Sequence, residues 1–355
     1  MIVRRRSCGL MIEVETESPS WAGVVDRALG GPMSQAPDGP QDGPGGGDAT
    51  PDICLRVESS RAAFSLSGLS PVTRGAFGDG DRVILTDACG SGLDLLIEPS
   101  PNVLTVTARS RPAARHRALH LAAPARTELL WRAAMLQYPA LWWAGVQHDA
   151  VPLHVSAARV GRVGVVVAGP GGVGKSTLLH GLARDDGIPV SDNLCSYDGV
   201  LLHSLAEPVR VEAGPGLRQR HPQRGRMPHG RVEQPWAVRE PALWPSLVLV
   251  LSRGSEARTT VRPVSSNIAA RALTAGTYAA GELRRYWSFA ATLALGTGLG
   301  PAHPAVDDQA RNLTRQVRCA EAVLASRPDA SLAEIVELAH RTVAAEKLPQ
   351  RQGRP

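Results

Sequence analysis

A glycine-rich segment near the middle of the chain constrains its fold more than any other feature. Residues 169–177 read GPGGVGKST and match G-x-x-x-x-G-K-[ST], the phosphate-binding loop or Walker A pattern. The apolar, β-branched residues 163–168 predict a buried strand before it, and the apolar spacing of residues 178–183 predicts a helix after it. The motif requires this order of strand, loop and helix. The segment therefore predicts an α/β core that binds a nucleoside triphosphate.

The chemistry of such a loop gives each part a role. Glycines let backbone N–H groups turn toward a polyphosphate without Cβ clashes, and the helix start adds the positive end of its dipole. Lys175 is expected to reach the β- and γ-phosphates, and the Ser176 hydroxyl to bind Mg²⁺. The predicted nucleotide-binding residues are Gly169, Gly171, Gly172, Val173, Gly174, Lys175, Ser176 and Thr177. ATP and Mg²⁺ are the expected ligands.

Lysine usage supports this interpretation over a chance glycine-rich turn. Among the 39 Lys and Arg residues, only Lys175 and Lys347 are lysines. A lysine ammonium is a compact point charge, which the planar fork of arginine does not reproduce at a phosphate. One of the two lysines therefore lies where the motif needs it.

Composition argues against several other classes of protein. The formal charge is +6, but no basic block is longer than residues 4–6, which disfavours nucleic acid as a partner. The five cysteines form no C-x-x-C pair, so neither a zinc site nor a disulfide framework is indicated. No apolar run approaches the length of a membrane span. We expect a cytoplasmic protein.

Changes in composition and periodicity divide the chain into segments. The predicted segments are a flexible N-terminal part with a Pro- and Gly-rich linker (1–50), a small β-rich domain (51–124), a connecting helix (125–150), a phosphate-loop core (151–262), a helical C-terminal region (263–346) and a disordered tail (347–355). A short helix is expected near residues 21–29. The β-rich domain, with four expected antiparallel strands, fits either a recognition module or a domain that serves packing or oligomerisation.

Two polar residues flank the core strand and its loop. Asp192 follows the short apolar run 187–190, so it is expected at the carboxyl end of a strand, where ligands bind in open α/β sheets. There a carboxylate can hold Mg²⁺ or accept a proton, although an ordinary turn aspartate is the alternative. His154 precedes the core strand and is either packed or functional. The later apolar run 247–251 is followed by Ser252 and Arg253 and not by an acid, so the usual distant Walker B acid is missing.

The order of His154, the loop and Asp192-Asn193 resembles the catalytic domain of bacterial HPr kinase/phosphorylase over about residues 150–260. That domain is related to phosphoenolpyruvate carboxykinase and is similar to HPr-kinase-like proteins encoded with modified-peptide pathways. The resemblance implies an α/β, P-loop kinase core of the HPr kinase/PEP carboxykinase type, with Lys175, Asp192 and His154 as catalytic residues. It also implies Ser176, Asp192 and Glu207 as Mg²⁺ ligands, although an exposed surface glutamate is the alternative for Glu207.

The sequence departs from this family at one position. The family has a pair of aspartates, of which the second accepts the proton, whereas this chain has Asp192 followed by Asn193. An amide cannot accept a proton at neutral pH. Asp192 or His154 would then take that role, or the chain binds ATP without phosphorylating a hydroxyl.

Residues 214–235 contain several arginines and no apolar period. They are expected to form a loop that either clamps the transferred phosphoryl group or is a solvated basic loop. Farther along, residues 309–325 are expected to be helical, and Ser331 to Glu334 matches the S-x-x-E capping box.

The expected function is an ATP-dependent kinase that phosphorylates a hydroxyl, on a serine of a peptide or protein or on a small-molecule alcohol. The alternatives are a nucleotide-binding regulatory module without phosphotransfer and a nucleoside triphosphate hydrolase. No membrane partner is expected, and a homo-oligomer is left open.

Overall fold

The computed structural model of the chain describes residues 2–30, 50–182, 187–212, 231–236, 239–326 and 329–346. It is a mixed α/β structure with several sheets. The predicted Pro- and Gly-rich linker and the C-terminal tail lie outside the described residues. None of the helices in these ranges is long and apolar enough to cross a membrane.

The strands of the described residues are, in chain order, β1 (Ile2–Ser7), β2 (Leu10–Thr16), β3 (Ile53–Glu58), β4 (Ser70–Thr73), β5 (Ala76–Gly78), β6 (Val83–Leu85), β7 (Leu93–Pro99), β8 (Leu104–Ser110), β9 (Val151–Leu153), β10 (Ser156–Val160), β11 (Val163–Ala168), β12 (Gly187–Ser191), β13 (Cys195–Tyr197), β14 (Leu202–Ser204), β15 (Val209–Glu212), β16 (Arg231–Gln234), β17 (Ala242–Leu243), β18 (Leu247–Arg253), β19 (Thr260–Pro263) and β20 (Arg318–Leu324). The α-helices are α1 (Pro19–Ala28), α2 (Ala114–Ala122), α3 (Pro124–Arg132), α4 (Tyr138–His148), α5 (Lys175–Gly181), α6 (Ser266–Ala279), α7 (Tyr286–Thr297), α8 (Val306–Gln316) and α9 (Leu332–Glu346).

Two compact units share the chain, and neither is one continuous stretch, unlike the linear segments predicted above. The first unit consists of residues 1–151, 204–241 and 281–304. The second unit consists of residues 152–203, 242–280 and 305–355. The chain thus leaves each unit and returns to it, which composition and periodicity along the sequence cannot reveal.

The first unit contains an eight-stranded sheet in the order β1-β2-β3-β8-β7-β6-β5-β4. The predicted strands of residues 53–107 are present, but the predicted antiparallel arrangement is wrong in part, because β2, β3 and β8 run parallel to one another. Residues 2–16, expected to lie in a flexible segment, form β1 and β2. The charged residues of β1 hide its alternation, because among the described strands it is an edge strand that pairs with β2, and half of its residues are exposed.

The helices of this unit agree with the sequence predictions better than its strands do. The helix expected near residues 21–29 is α1, and the apolar region 125–148 is helical as expected. Trp142 and Trp143 are 2% and 1% exposed, so they pack in the core. Part of the expected loop 214–235 is β16, which pairs with β15, while residues 213–230 lie outside the described residues.

The second unit is built on a six-stranded sheet in the order β12-β10-β11-β18-β20-β19. Its centre is parallel: β11 pairs with β18, and β18 pairs with β20. The helix expected over residues 309–325 is wrong in its second half, because α8 ends at Gln316 and residues 318–324 form β20. A short buried strand of small apolar residues has no period that separates it from a helix.

The capping box at the start of α9 is confirmed. The Ser331 backbone N–H donates to Glu334 Oε2 at 2.7 Å, and the Glu334 N–H donates to Ser331 Oγ at 3.3 Å. These reciprocal bonds satisfy two backbone donors at the helix start and fix where the chain turns into α9.

Candidate functional site

The glycine-rich segment connects β11 to α5, so the strand, loop and helix predicted around it are confirmed. Gly169 and Gly174 have φ angles of +148° and +121°, a region that side chains rarely adopt. A Cβ at Gly169 would lie 2.9 Å from the backbone oxygen of Leu251 on β18. The loop therefore needs glycine both for its backbone turn and for its fit against the neighbouring strand.

Lys175 is the first residue of α5 and points back into the loop. Its side chain is only 7% exposed. The ammonium donates to the backbone oxygen of Gly169 at 2.8 Å and to that of Pro170 at 3.3 Å. The loop tip at Pro170, Gly171 and Gly172 is exposed. The arrangement holds a cation under an accessible loop of backbone, which is how a lysine can meet a polyphosphate.

Sheet topology brings His154 and Asp192 to the edge of the sheet from which the loop emerges. β10 is antiparallel to both β11 and β12, with Ser156 opposite Val167 and Ala157 opposite Ser191. β11 and β12 therefore run in the same direction, and their carboxyl ends lie about 10 Å apart, two strand spacings. Asp192 follows the end of β12, and His154 lies just before the start of β10.

Asp192 is a buried carboxylate next to α5. Its side chain is 5% exposed, and its Oδ2 lies 3.6 Å from Nε2 of His180. Within the described ranges, its Oδ1 is buried and has no hydrogen-bond partner. Ser176 and His180 are four residues apart on α5 and so share one face of that helix. Asp192 thus lies on the side of α5 that carries the Ser176 hydroxyl.

His154 is held through its backbone. Its N–H donates to Thr277 Oγ1 of α6 at 3.1 Å, and Thr277 is fully buried. The preceding residue of α6, Gly276, approaches the loop, since a Cβ there would lie 3.6 Å from the Gly169 oxygen. The helix α6 therefore lies against both His154 and the start of the loop. The imidazole of His154 is half-buried.

Asn193, which follows Asp192 in place of a second carboxylate, is 9% exposed. Its Nδ2 is buried without a hydrogen-bond partner among the residues that the structure describes. Asp198, farther along the chain, is a turn residue. Its carboxylate accepts hydrogen bonds from the Val200 and Leu201 N–H groups and contacts His203 Nε2 at 2.8 Å.

Two residues near the loop were missed by the sequence analysis. Arg253 is the last residue of β18, the strand for which the sequence indicated only that no Walker B acid follows it. Its Nε donates to the backbone oxygen of Val173 at 3.2 Å. Arg253, Gly174 and Thr177 also line a small cavity of about 50 Å³ beside the loop. His180 is the second residue. In the sequence, only its spacing of four residues from Ser176 could have indicated that it shares a helix face with that residue.

Glu207, the third expected metal ligand, lies in the first unit. The alternative of an exposed glutamate is wrong, because its side chain is 2% exposed. Its Oε2 lies 3.5 Å from Gln137 Nε2 and 3.9 Å from Arg210 Nη2. Arg210 also donates to Glu282 at 2.8 Å. The neighbouring Arg210 accounts for the burial of this carboxylate, and metal binding by Glu207 stays a prediction.

An ion pair between a buried arginine and a mostly buried glutamate lies in the same unit. Arg132, 3% exposed, donates to both carboxylate oxygens of Glu233 at 2.8 and 2.6 Å. We expect Arg132→Met to lower the free energy of unfolding by about 3 kcal/mol, because the mostly buried Glu233 loses its bidentate cation, while Arg210 lies farther away, at 3.8 Å. Urea denaturation measures this loss. The double variant Arg132→Met/Glu233→Leu should recover most of it, and equal losses in both variants would contradict the explanation.

No protein-family model matches the sequence, and no curated protein matches it. Among solved structures, the chain is similar to the Hpr(Ser) kinase/phosphatase from Coxiella burnetii, with 8% sequence identity and a TM-score of 0.26. That match covers 55% of this chain and 97% of the other chain. It is a weak similarity at the level of the fold, and it assigns no activity.

Proposed function

We propose that this chain is an ATP-dependent kinase, with a P-loop core of the HPr kinase type, that transfers the γ-phosphoryl group to a hydroxyl. The acceptor is a serine of a peptide or protein, or a small-molecule alcohol. The observation that carries the proposal is the buried ammonium of Lys175 beneath an exposed glycine loop, with the buried carboxylate of Asp192 at the same sheet edge.

Nucleotide binding follows from the loop itself. Backbone N–H groups of residues 169–177 surround the phosphates, and Lys175 exchanges part of its bonding to the Gly169 and Pro170 oxygens for phosphate oxygens. Arg253 holds the loop through the Val173 oxygen and supplies a second positive charge next to it. Phosphoryl transfer needs mainly positioning and charge stabilisation, which these groups provide.

The residues on this side of α5 suit Mg²⁺. Asp192 offers a buried carboxylate oxygen that has no hydrogen-bond partner within the described ranges. Ser176 offers a hydroxyl on the face of α5 that lies beside Asp192. When bound with ATP, Mg²⁺ would neutralise charge on the phosphate oxygens. Across the described residues, no group of three or more His, Cys, Asp or Glu side chains forms a metal cluster. A site of one carboxylate and one hydroxyl suits Mg²⁺, which keeps waters and phosphates as its other ligands.

The proton of the acceptor hydroxyl needs a base at this edge of the sheet. Asn193 cannot serve, and Asp192 is the first candidate: its Oδ2 would take the proton while its Oδ1 binds Mg²⁺. His154 is the second candidate, with a half-buried imidazole on the same edge. Proton transfer to a positioned base contributes about 10²–10⁴ to a rate.

Asn193 also favours a second function. A chain that binds ATP but lacks the family's second aspartate suits a regulatory module that responds to nucleotide without transferring a phosphoryl group. A nucleoside triphosphate hydrolase is the third candidate.

Purified full-length protein, incubated with γ-labelled ATP, Mg²⁺ and a cell extract separated by size, distinguishes these functions. The kinase proposal predicts label on an acceptor, and the size of the labelled fraction separates a peptide or protein from a small alcohol. Nucleotide binding with no labelled product contradicts phosphotransfer and favours the regulatory module. Release of labelled free phosphate without a labelled acceptor favours the hydrolase.

A further inference from the structure

A cleft of about 470 Å³ lies in the first unit, and its lining includes none of the residues assigned above. We call it the arginine cleft, and its lining includes Ser18, Trp21, Glu58, Arg61, Arg111 and Arg117. Three of its sides come from the chain just beyond β2, β3 and β8, which are neighbouring parallel strands. In open α/β sheets, ligands bind outside the carboxyl ends of such strands. The cleft therefore has the position of a binding site.

Positive charge dominates the arginine cleft. Its one carboxylate, Glu58, accepts a hydrogen bond from Arg109 at 2.6 Å and is neutralised by it. Arg111 pairs with the buried Asp94. Neither Arg61 nor Arg117 forms an ion pair within the part of the chain that the structure describes. The cleft thus keeps the charge of two exposed guanidinium groups, whose planar forks match phosphate and carboxylate oxygens.

The first turn of α1 adds further groups that favour an anion. Ser18 precedes this helix and its hydroxyl lies 2.8 Å from that of Ser20, while no acidic residue lies in the first turn. Unpaired N–H groups and the positive dipole end of a helix favour anions there. Trp21 also borders the cleft and packs against Trp131 with ring centroids 4.7 Å apart, which gives the cleft an aromatic wall.

We propose that the arginine cleft binds a small organic molecule that carries a phosphate or carboxylate group. Arg61 and Arg117 hold the anionic group, the hydroxyls of the first turn of α1 orient it, and Trp21 contacts the organic part. The volume lies in the range of small-molecule sites. None of the residues that line this cleft belongs to the proposed kinase centre.

Isothermal titration of the full-length chain tests the proposal, with citrate as the carboxylate probe and inorganic phosphate as the phosphate probe. All titrations use the Lys175→Ala background, so that the nucleotide loop does not contribute the phosphate signal. We expect saturable binding of at least one probe, and the tighter one identifies the anionic group. The double change Arg61→Ala/Arg117→Ala should weaken that binding at least about tenfold, because it removes both uncompensated cations.

Arg74→Ala is the matched control, an exposed arginine of the same unit outside the cleft. It should bind the probe as its parent does, and circular dichroism should show that every variant is folded. Three results would overturn the proposal: no saturable binding of either probe, unchanged binding after the double change, or an equal loss in the Arg74 control.

Discussion

Lys175→Ala is expected to weaken ATP binding about a hundredfold and to remove phosphoryl transfer. The substitution deletes a buried ammonium that lies under the loop and donates to two of its backbone oxygens. Hydrogen bonds to a charged group contribute about 1.5–3 kcal/mol each, and 1.4 kcal/mol corresponds to tenfold in affinity. The loss of two such bonds to phosphate oxygens accounts for the expected change.

Titration calorimetry with ATP and Mg²⁺ measures this effect. Lys175→Arg is the sharper variant, because a planar guanidinium does not fit between the Gly169 and Pro170 oxygens, and it should also lose most binding. Lys347→Ala, at the second of the two lysines, is the matched control and should bind as the wild type does. Wild-type affinity in Lys175→Ala would rule out this loop as the nucleotide site.

Asp192→Asn is expected to lower the rate of phosphoryl transfer about a thousandfold while ATP affinity changes less than about tenfold. The amide preserves the shape of the buried side chain but cannot accept a proton and is a poorer Mg²⁺ ligand. A general base contributes about 10²–10⁴ to a rate, so the loss should appear in turnover more than in binding.

Single-turnover transfer of labelled phosphate, with ATP binding measured in parallel, separates the two effects. Asp198→Asn is the matched control, an aspartate that also follows a strand of the second unit but serves a turn. Burial acts to raise the pKa of Asp198, yet its bonds from His203, Leu201 and Val200 hold that pKa below its ordinary value. The control should lose stability and keep its turnover. Equal turnover losses in both variants would contradict the role of Asp192.

The sequence predicted the glycine loop and its flanking strand and helix better than the architecture around them. Residues 169–177, the buried strand before them and the helix after them were all readable, because each depends on neighbours within a few positions. The same holds for the capping box from Ser331 to Glu334. Periodicity failed at β1, whose arginines hide its alternation, and at β20, whose small apolar residues resemble a helix segment.

The sequence by itself determined the glycine loop, its lysine and the acid that follows the next strand, since local chemistry requires these residue types at that spacing. Only the tertiary structure decided that Asp192 lies beside the face of α5 that carries Ser176, that Arg253 holds the loop, and that three arginines meet in the arginine cleft. Such contacts depend on strand order, on parallel or antiparallel pairing and on which segments return to a unit. Those are set by the burial of the whole core, which no local pattern encodes.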